Sequence, residues 1–124
     1  MKSRLPRLTD LELEVMKIVW ALGSATVRDV YEEFRKRRKI AYTTVMTMMN
    51  ILEQKKHLRK KRGERAYLYE PARPKEQVVK GMVRDFVGRV FDGSARPLLV
   101  HLVEDRRVDE ADLEEIRRLL RESE

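Results

Sequence analysis

The stretch that decides the fold is residues 41–70, AYTTVMTMMNILEQKKHLRKKRGERAYLYE. Its first half predicts a helix from about Thr43 to Lys56, because apolar side chains recur there at helical spacing. At 100° per residue, one face of this helix is apolar and carries Val45, Met48, Met49 and Leu52. The opposite face is small, polar and uncharged, and carries Thr43, Thr47, Asn50 and Gln54, with Thr44 and Ile51 at its margins. Such side chains fit against base edges in a DNA major groove, where Asn can bond adenine and a Thr methyl can touch thymine.

The second half of the stretch predicts a β-hairpin. Gly63 provides a turn position, and residues 66–70 alternate in the way that a strand requires. Residues 55–65 contain seven Lys or Arg and one acidic residue. A hairpin this basic, directly after a helix with a polar face, is typical of a wing that lies along a phosphate backbone.

Two shorter helices are predicted upstream. Thr9 and Glu12 form a capping box before an apolar stripe, and Gly23 is placed to end that helix. Thr26 and Asp29 repeat the start signal after a tight turn. The two apolar stripes are Leu11, Val15, Ile18, Val19 and Leu22, then Val27, Val30, Tyr31 and Phe34. Three helices followed by a basic hairpin predict a winged helix-turn-helix whose third helix reads DNA, although three-helix domains also occur without DNA binding.

The downstream third of the chain predicts a helical dimerisation arm. Pro71 and Pro74 mark a break, and three helices follow, from about Lys75 to Phe91, from Pro97 and after Asp109. Three helices with about 50 residues in total are too few to form a good hydrophobic core alone. We therefore expect two copies of the chain to pair. The residues expected at this interface are Val79, Met82, Val83, Phe86, Val90, Leu99, Leu102, Leu113, Ile116 and Leu120. Leu119 is also expected to face inward. We therefore expect a mostly α chain with a winged-helix domain over residues 1–73 and a dimerisation domain over residues 74–124.

Charge separates the two predicted halves. The 124 residues carry a formal net charge of +7, of which residues 1–74 contribute +9 and residues 75–124 contribute −2. The excess of basic residues favours a polyanionic partner such as nucleic acid. The basic run at 35–39 permits two interpretations, a solvated helix end or a phosphate contact.

Other classes of protein are disfavoured by what the sequence lacks. It contains no cysteine, so a disulfide framework, a thiolate metal site and a Cys nucleophile are excluded. His57 and His101 have no metal-binding spacing, and no phosphate-binding glycine loop or nucleophile-base pair is present. No apolar run approaches the length of a membrane span. We expect a cytoplasmic protein that is not an enzyme, with no cofactor, no metal and no membrane partner.

Four segments together resemble the penicillinase repressor (BlaI/MecI/CopY) family. They are residues 8–20, LTDLELEVMKIVW; residues 26–30, TVRDV; residues 41–47, AYTTVMT; and residues 66–69, AYLY. The similarity extends from about Leu8 to Leu120, and AYTTVMT before a basic wing is its most specific part. The resemblance implies a homodimeric repressor that binds inverted-repeat operators in double-stranded DNA through Thr43, Thr44 and Thr47.

The sequence also departs from the family pattern. Met46 and Ile51 stand where members often carry a basic residue. In antibiotic-resistance members, a membrane sensor metalloprotease triggers cleavage of an Asn-Phe bond, which aligns here with His101-Leu102. Copper-responsive members use a C-terminal cysteine cluster, which this chain lacks. The resemblance implies a sensor-linked protease as a partner, but the changed bond disfavours cleavage with the same specificity and favours a related protease. The lack of cysteine disfavours copper sensing.

Residue pattern and resemblance together give the candidate DNA contacts. On the reading helix these are Tyr42, Thr43, Thr44, Met46, Thr47, Asn50, Ile51 and Gln54. On the wing and backbone side they are Lys55, Lys60, Arg62, Arg65 and Tyr67. Two alternatives remain open, a protein–protein adaptor with a basic docking face and a non-specific nucleic-acid-binding protein.

Overall fold

The computed structural model describes residues 6–123; the predicted domain bounds also include residues 1–5 and 124, which lie outside the described residues. The order of elements is α1 (Asp10–Leu22), α2 (Val27–Phe34), α3 (Tyr42–Gln54), β1 (Leu58–Arg62), β2 (Tyr67–Pro71), α4 (Lys75–Phe91), α5 (Arg96–Glu104) and α6 (Glu110–Glu122). This is the mostly helical winged-helix arrangement that the sequence predicts. The chain divides into two compact units after Val79, within α4.

Helix starts follow the predicted capping signals. Thr9, Thr26 and Asp109 each accept a hydrogen bond from the backbone N–H three residues later, and the residue there bonds back to the cap N–H. These reciprocal bonds satisfy amide groups that have no partner inside the helix. Gly23 ends α1 at φ +86°, a backbone conformation that glycine adopts without steric cost.

The third helix ends two residues earlier than the predicted limit at Lys56. Lys56 takes a left-handed conformation with φ 67°, and the His57 N–H donates to the Leu52 carbonyl at 2.9 Å. This bond closes the helix end and turns the chain directly into β1.

The core of the first unit forms between α1, α2, α3 and the hairpin. The buried apolar side chains include the predicted inner face of α3 and part of each predicted stripe, while Leu11, Val27 and Tyr31 are half-buried against them; the buried set is Val15, Met16, Ile18, Val19, Ala25, Val30, Phe34, Val45, Met48, Met49, Leu52, Leu58 and Tyr69. Leu22 departs from the prediction, because it lies at the end of α1 and is exposed. Met48 and Met49 are core residues rather than metal ligands.

The hairpin is antiparallel, and Leu58 pairs with Pro71 at its base and Arg62 with Tyr67 near its tip. A single bridge joins β2 to the turn between α1 and α2, where the Ala25 and Tyr69 backbones exchange hydrogen bonds of 2.9 and 2.8 Å. The wing is therefore attached to the helices through backbone as well as side chains.

The second unit contains the rest of α4 with α5 and α6, and none of its described side chains is fully buried. Leu119 and Leu120, predicted to face inward, are exposed on α6, because no element of the unit covers them. No helix among residues 6–123 is long and apolar enough to cross a membrane.

Candidate nucleic-acid interface

Helix α3 presents a polar surface opposite its buried face. Most of the side chains predicted to read DNA are exposed, namely Tyr42, Thr43, Thr44, Met46, Thr47 and Gln54, while Asn50 and Ile51 are half-buried. The only charged residue of α3 is Glu53. The exposed surface thus combines hydroxyl, methyl and amide groups with one thioether, a composition suited to base edges.

A ladder of aromatic and cationic side chains joins α2 to the start of α3. The Tyr31 and Tyr42 rings meet edge to face with centroids 5.4 Å apart. The Arg28 guanidinium lies 5.9 Å from the Tyr42 centroid, and the Arg35 guanidinium 6.0 Å from that of Tyr31. These contacts place the Arg28 guanidinium beside the first turn of α3 and link the two helices.

An ion pair holds the other end of α3. The Lys55 ammonium donates to both Glu12 carboxylate oxygens, at 2.8 and 3.0 Å, and to the Arg7 carbonyl at 3.2 Å. Glu12 is buried. Burial raises the pKa of Glu12, but hydrogen bonds from Lys55 and the Thr9 amide outweigh burial and hold that pKa below its ordinary value. The three ammonium hydrogens of Lys55 are thus used inside the domain, which distinguishes Lys55 from the other predicted backbone contacts.

A hydrogen bond links α3 to the wing. The hydroxyl of buried Tyr69 donates to Oδ1 of Asn50 at 3.0 Å. A bidentate contact from Asn to adenine needs both the oxygen and the NH₂ group of the amide. The Tyr69 hydroxyl already uses one acceptor position of this oxygen, so Asn50 bridges α3 and β2.

The two faces of the hairpin differ in charge. Leu58, Lys60 and Arg62 lie on the face that continues from the core, since opposed residues share a face and Lys60 is paired with Tyr69. We call Lys60, Arg62 and Tyr67 the front of the wing. The Lys60 ammonium lies 4.6 Å from the Tyr67 ring centroid. Within residues 6–123, neither Lys60 nor Arg62 forms an ion pair, so both positive charges are uncompensated.

We call Arg59, Lys61 and Glu70 the back of the wing. Glu70 accepts from Arg59 at 3.2 Å and pairs with the Lys61 ammonium at 3.3 Å. Hydrogen bonds from Lys61 and Arg59 hold the pKa of Glu70 below its ordinary value, so the carboxylate is charged at neutral pH. The back therefore carries a net charge of +1 from three ionised groups.

The turn between the strands requires glycine for space rather than for a positive φ. A Cβ on Gly63 would overlap the Ala66 carbonyl oxygen, to which the Gly63 N–H donates at 3.1 Å. Arg65 lies in this turn and is exposed, and no ion pair involves it within the described part of the chain.

The basic run at 35–39 is partly neutralised. Arg35 pairs with Glu32 at 3.5 Å, Lys36 with Glu33 at 2.9 Å and Arg38 with Glu14 at 2.8 Å. Exposed ion pairs of this kind contribute little to stability. In the part of the chain that the structure describes, Arg37 and Lys39 are the members of the run without such a partner. Their positive charges are therefore not offset by a neighbouring carboxylate.

The sequence predicted Glu12 only as a capping residue and gave no partner for Tyr69 or His57; all three side chains are buried. The imidazole of His57 is buried, and its Nε2 lies 2.8 Å from the Pro6 carbonyl oxygen. A polar residue on an apolar helix stripe is the signal that could have identified Glu12. No local pattern identifies the partner of Tyr69, because Asn50 is 19 positions away.

In the second unit, the predicted interface side chains lie exposed or half-covered. The exposed members are Val83, Phe86, Val90, Leu99 and Leu120, and the half-buried ones are Met82, Leu102, Leu113 and Ile116; Val79, at the end of the first unit, is half-buried as well. His101 and Leu102 lie within α5, where the His101 ring is 6.0 Å from that of Phe91. No group of three or more His, Cys, Asp or Glu side chains suited to a metal ion occurs among residues 6–123.

Known proteins resemble most of the chain. The sequence model of the family described as Penicillinase repressor matches residues 8–122. The Transcriptional regulator BlaI of Mycobacterium tuberculosis is 40% identical, and the alignment covers 98% of this chain and 88% of that protein. The Penicillinase repressor of Bacillus licheniformis is 24% identical over 97% of this chain and 94% of that protein.

Two solved structures resemble the first part of the chain. The DNA-binding domain of the repressor BlaI matches with a TM-score of 0.54 at 30% identity, covering 60% of this chain and 90% of that one. The Bacillus licheniformis BlaI monomeric form in complex with the blaP half-operator matches with a TM-score of 0.53 at 30% identity, covering 59% and 89%.

Proposed function

Since the chain belongs to the penicillinase repressor family, we propose that this DNA-binding transcriptional repressor acts as a homodimer on an inverted-repeat operator. The observation that carries the proposal is the composition of the α3 surface: an exposed face free of Lys and Arg, beside a wing whose front cations are uncompensated. Uncharged groups read base edges, and cations neutralise phosphates.

Each contact has a role that its chemistry supports. Thr43, Thr44 and Thr47 contact bases through hydroxyl and methyl groups, while Tyr42, Met46, Ile51 and Gln54 extend the same surface. Lys60, Arg62 and Arg65 contact the phosphate backbone, and Tyr67 supports Lys60. Asn50 and Lys55 act mainly by holding α3 in place, because the Asn50 amide oxygen and the Lys55 ammonium are engaged within the domain.

Dimerisation is supported by the apolar side chains of the second unit. Phe86 and Leu120 are 40% and 62% exposed, and burying such large apolar side chains against a second copy would remove them from water. A two-fold axis would then relate two reading helices, so that the operator half-sites lie about 34–36 Å apart or at a multiple of that spacing. Light scattering after size exclusion tests the dimer, and a monomer at micromolar concentration would contradict it.

Inactivation by proteolysis is the finer proposal. The candidate bond, His101-Leu102, lies inside α5, so a protease must unwind that helix before it can bind the bond. Cleavage there would separate α6 from α4 in sequence and weaken dimerisation. Mass spectrometry of the protein from cells treated with a cell-wall antibiotic tests this. Fragments ending at His101 are expected, and an intact chain under conditions that release repression would contradict it.

The function itself is tested by footprinting the purified protein on the DNA upstream of its own gene. Protection is measured at low and near-physiological salt, with an unrelated duplex as competitor. We expect a protected palindrome that survives competition. Diffuse protection that disappears with salt would instead support non-specific binding, and no protection would support the adaptor alternative. Because the target is chromosomal DNA, we place the protein in the cytoplasm.

A further inference from the structure

The arrangement of charges on the wing points to a function for its one strand carboxylate. We propose that Glu70 limits binding to non-operator DNA by holding Arg59 and Lys61 on the back of the wing. The inference rests on the proposed function, since it concerns how the repressor distinguishes its operator from other DNA.

The two faces of the wing differ in whether their cations have an acidic partner. The front carries Lys60 and Arg62 with no acidic partner, whereas both back cations are bound to one carboxylate. The strand register produces this contrast. Arg59 is directly opposite Glu70, and Lys61, two residues further along β1, lies on the same face of the hairpin. Each pairing places a carboxylate oxygen beside a cation that stays exposed to solvent, and so lowers the positive potential on the back of the wing.

The orientation of the wing on DNA follows from its hydrogen bond to α3. Tyr69 bonds Asn50, so the front of the wing has a defined position relative to the reading face of α3. When α3 is docked in its operator, the front therefore meets the phosphates and the back does not. In a non-specific complex α3 is not docked by base contacts, so the protein samples orientations in which either face of the wing meets the backbone.

The charge on the back of the wing therefore affects the operator complex and non-specific complexes differently. Cations on the back would strengthen non-specific complexes much more than the operator complex. By offsetting one of their two charges, Glu70 lowers the affinity for other DNA without reducing the contacts made at the operator. Selectivity is a difference of affinities, and weakening the competing complexes increases it.

The test compares the full-length protein with Glu70→Gln on two duplexes of equal length, the footprinted operator and an unrelated sequence. Fluorescence anisotropy titrations at several salt concentrations give affinity and salt slope. For the unrelated duplex we expect affinity to rise about threefold to tenfold at low salt, and the slope of log affinity against log salt to steepen by about 1 to 2, since each new phosphate contact adds about 0.9. For the operator we expect a change below about twofold.

Two sets of controls isolate the carboxylate. Glu76→Gln removes the same charge from an exposed position on α4 and should leave both affinities unchanged. The double variant Arg59→Gln, Lys61→Gln should cancel the gain in the Glu70→Gln background. Thermal unfolding by circular dichroism confirms that each variant is folded.

Three results would overturn the inference: an unchanged affinity for the unrelated duplex, an equal gain on both duplexes, or an equal effect of Glu76→Gln. Failure of the proposed function is distinguishable, because it would show as a wild-type protein that does not prefer the operator at all.

Discussion

The hydroxyl of Tyr69 on β2 donates to Oδ1 of Asn50 on α3, which joins the wing to the reading helix through one 3.0 Å hydrogen bond. Burial raises the pKa of Tyr69, so the hydroxyl keeps its proton at physiological pH and remains a donor. Because α3 and the wing contact different parts of DNA, their relative position determines whether both can bind at once.

Tyr69→Phe removes this hydrogen bond and keeps the ring. We expect the free energy of unfolding to fall by about 0.5–1.5 kcal/mol, since a half-buried amide oxygen loses its partner. We also expect weaker operator binding with little change for an unrelated duplex. Urea unfolding and anisotropy measure the two effects. The control is Tyr67→Phe, whose ring is exposed; an equal loss of stability in both variants would contradict the assignment.

Glu12→Gln breaks the ion pair with Lys55 while keeping a side chain that can still bond the Thr9 amide. Removing one partner of a buried ion pair is destabilising, but Lys55 can reach water, so we expect a loss of about 1–3 kcal/mol at pH 7. Glu14→Gln is the matched control, because its partner Arg38 is exposed and the expected loss is below about 0.5 kcal/mol. Chemical denaturation measures both, and equal losses would refute the structural role of Glu12.

The same pair predicts a pH dependence. The pKa of Glu12 is lower in the folded state than its ordinary value, so its stabilising contribution is complete above the unfolded-state pKa of about 4.3. The contribution is lost as the pH falls through the folded-state pKa. The difference in stability between wild type and Glu12→Gln should therefore be constant from pH 7 to about pH 5 and decrease in more acidic solution. A difference that grows with acidification would be inconsistent with this sign.

Thr47→Glu places a carboxylate on the exposed face of α3. We expect specific operator binding to be lost through repulsion by phosphates, with stability changed by less than about 0.5 kcal/mol, because the site is exposed. Thr47→Gln has similar bulk without charge and should retain more affinity. Footprinting and circular dichroism measure the two properties. Retained protection of the operator by Thr47→Glu would exclude Thr47 from the interface.

Arg62→Ala combined with Arg65→Ala removes two uncompensated cations from the wing. We expect affinity to fall for operator and unrelated duplexes alike, and the salt slope to flatten by about 2, since each phosphate contact contributes about 0.9. Anisotropy titrations across salt concentrations measure the slope. A loss confined to the operator would mean that these side chains read sequence rather than phosphate.

Gly63→Ala tests the hairpin turn. The added Cβ meets the Ala66 carbonyl oxygen, so the turn must open, and we expect a loss of about 1–3 kcal/mol. The neighbouring exposed Glu64→Ala should change stability by less than about 0.5 kcal/mol. Differential scanning calorimetry compares the two, and equal melting temperatures would show that the turn adapts without cost.

The order of elements and the inner face of each helix in the first unit were predictable from local signals. Capping boxes at Thr9, Thr26 and Asp109 depend on residues three positions apart, and the buried face of α3 follows from the 3.6-residue period. The basic hairpin was equally visible, because alternation and turn chemistry are properties of short segments. These features are encoded locally, so the sequence by itself determined them.

Tertiary structure decided which polar groups remain available for DNA. Asn50 and Lys55 have the right chemistry for bases and phosphates, but their partners, Tyr69 and Glu12, are 19 and 43 positions away. Likewise, the strand register places Glu70 beside Arg59 and Lys61 and leaves Lys60 and Arg62 uncompensated. A hydrogen bond or ion pair between distant segments depends on how the elements pack, and no local pattern in the sequence specifies it.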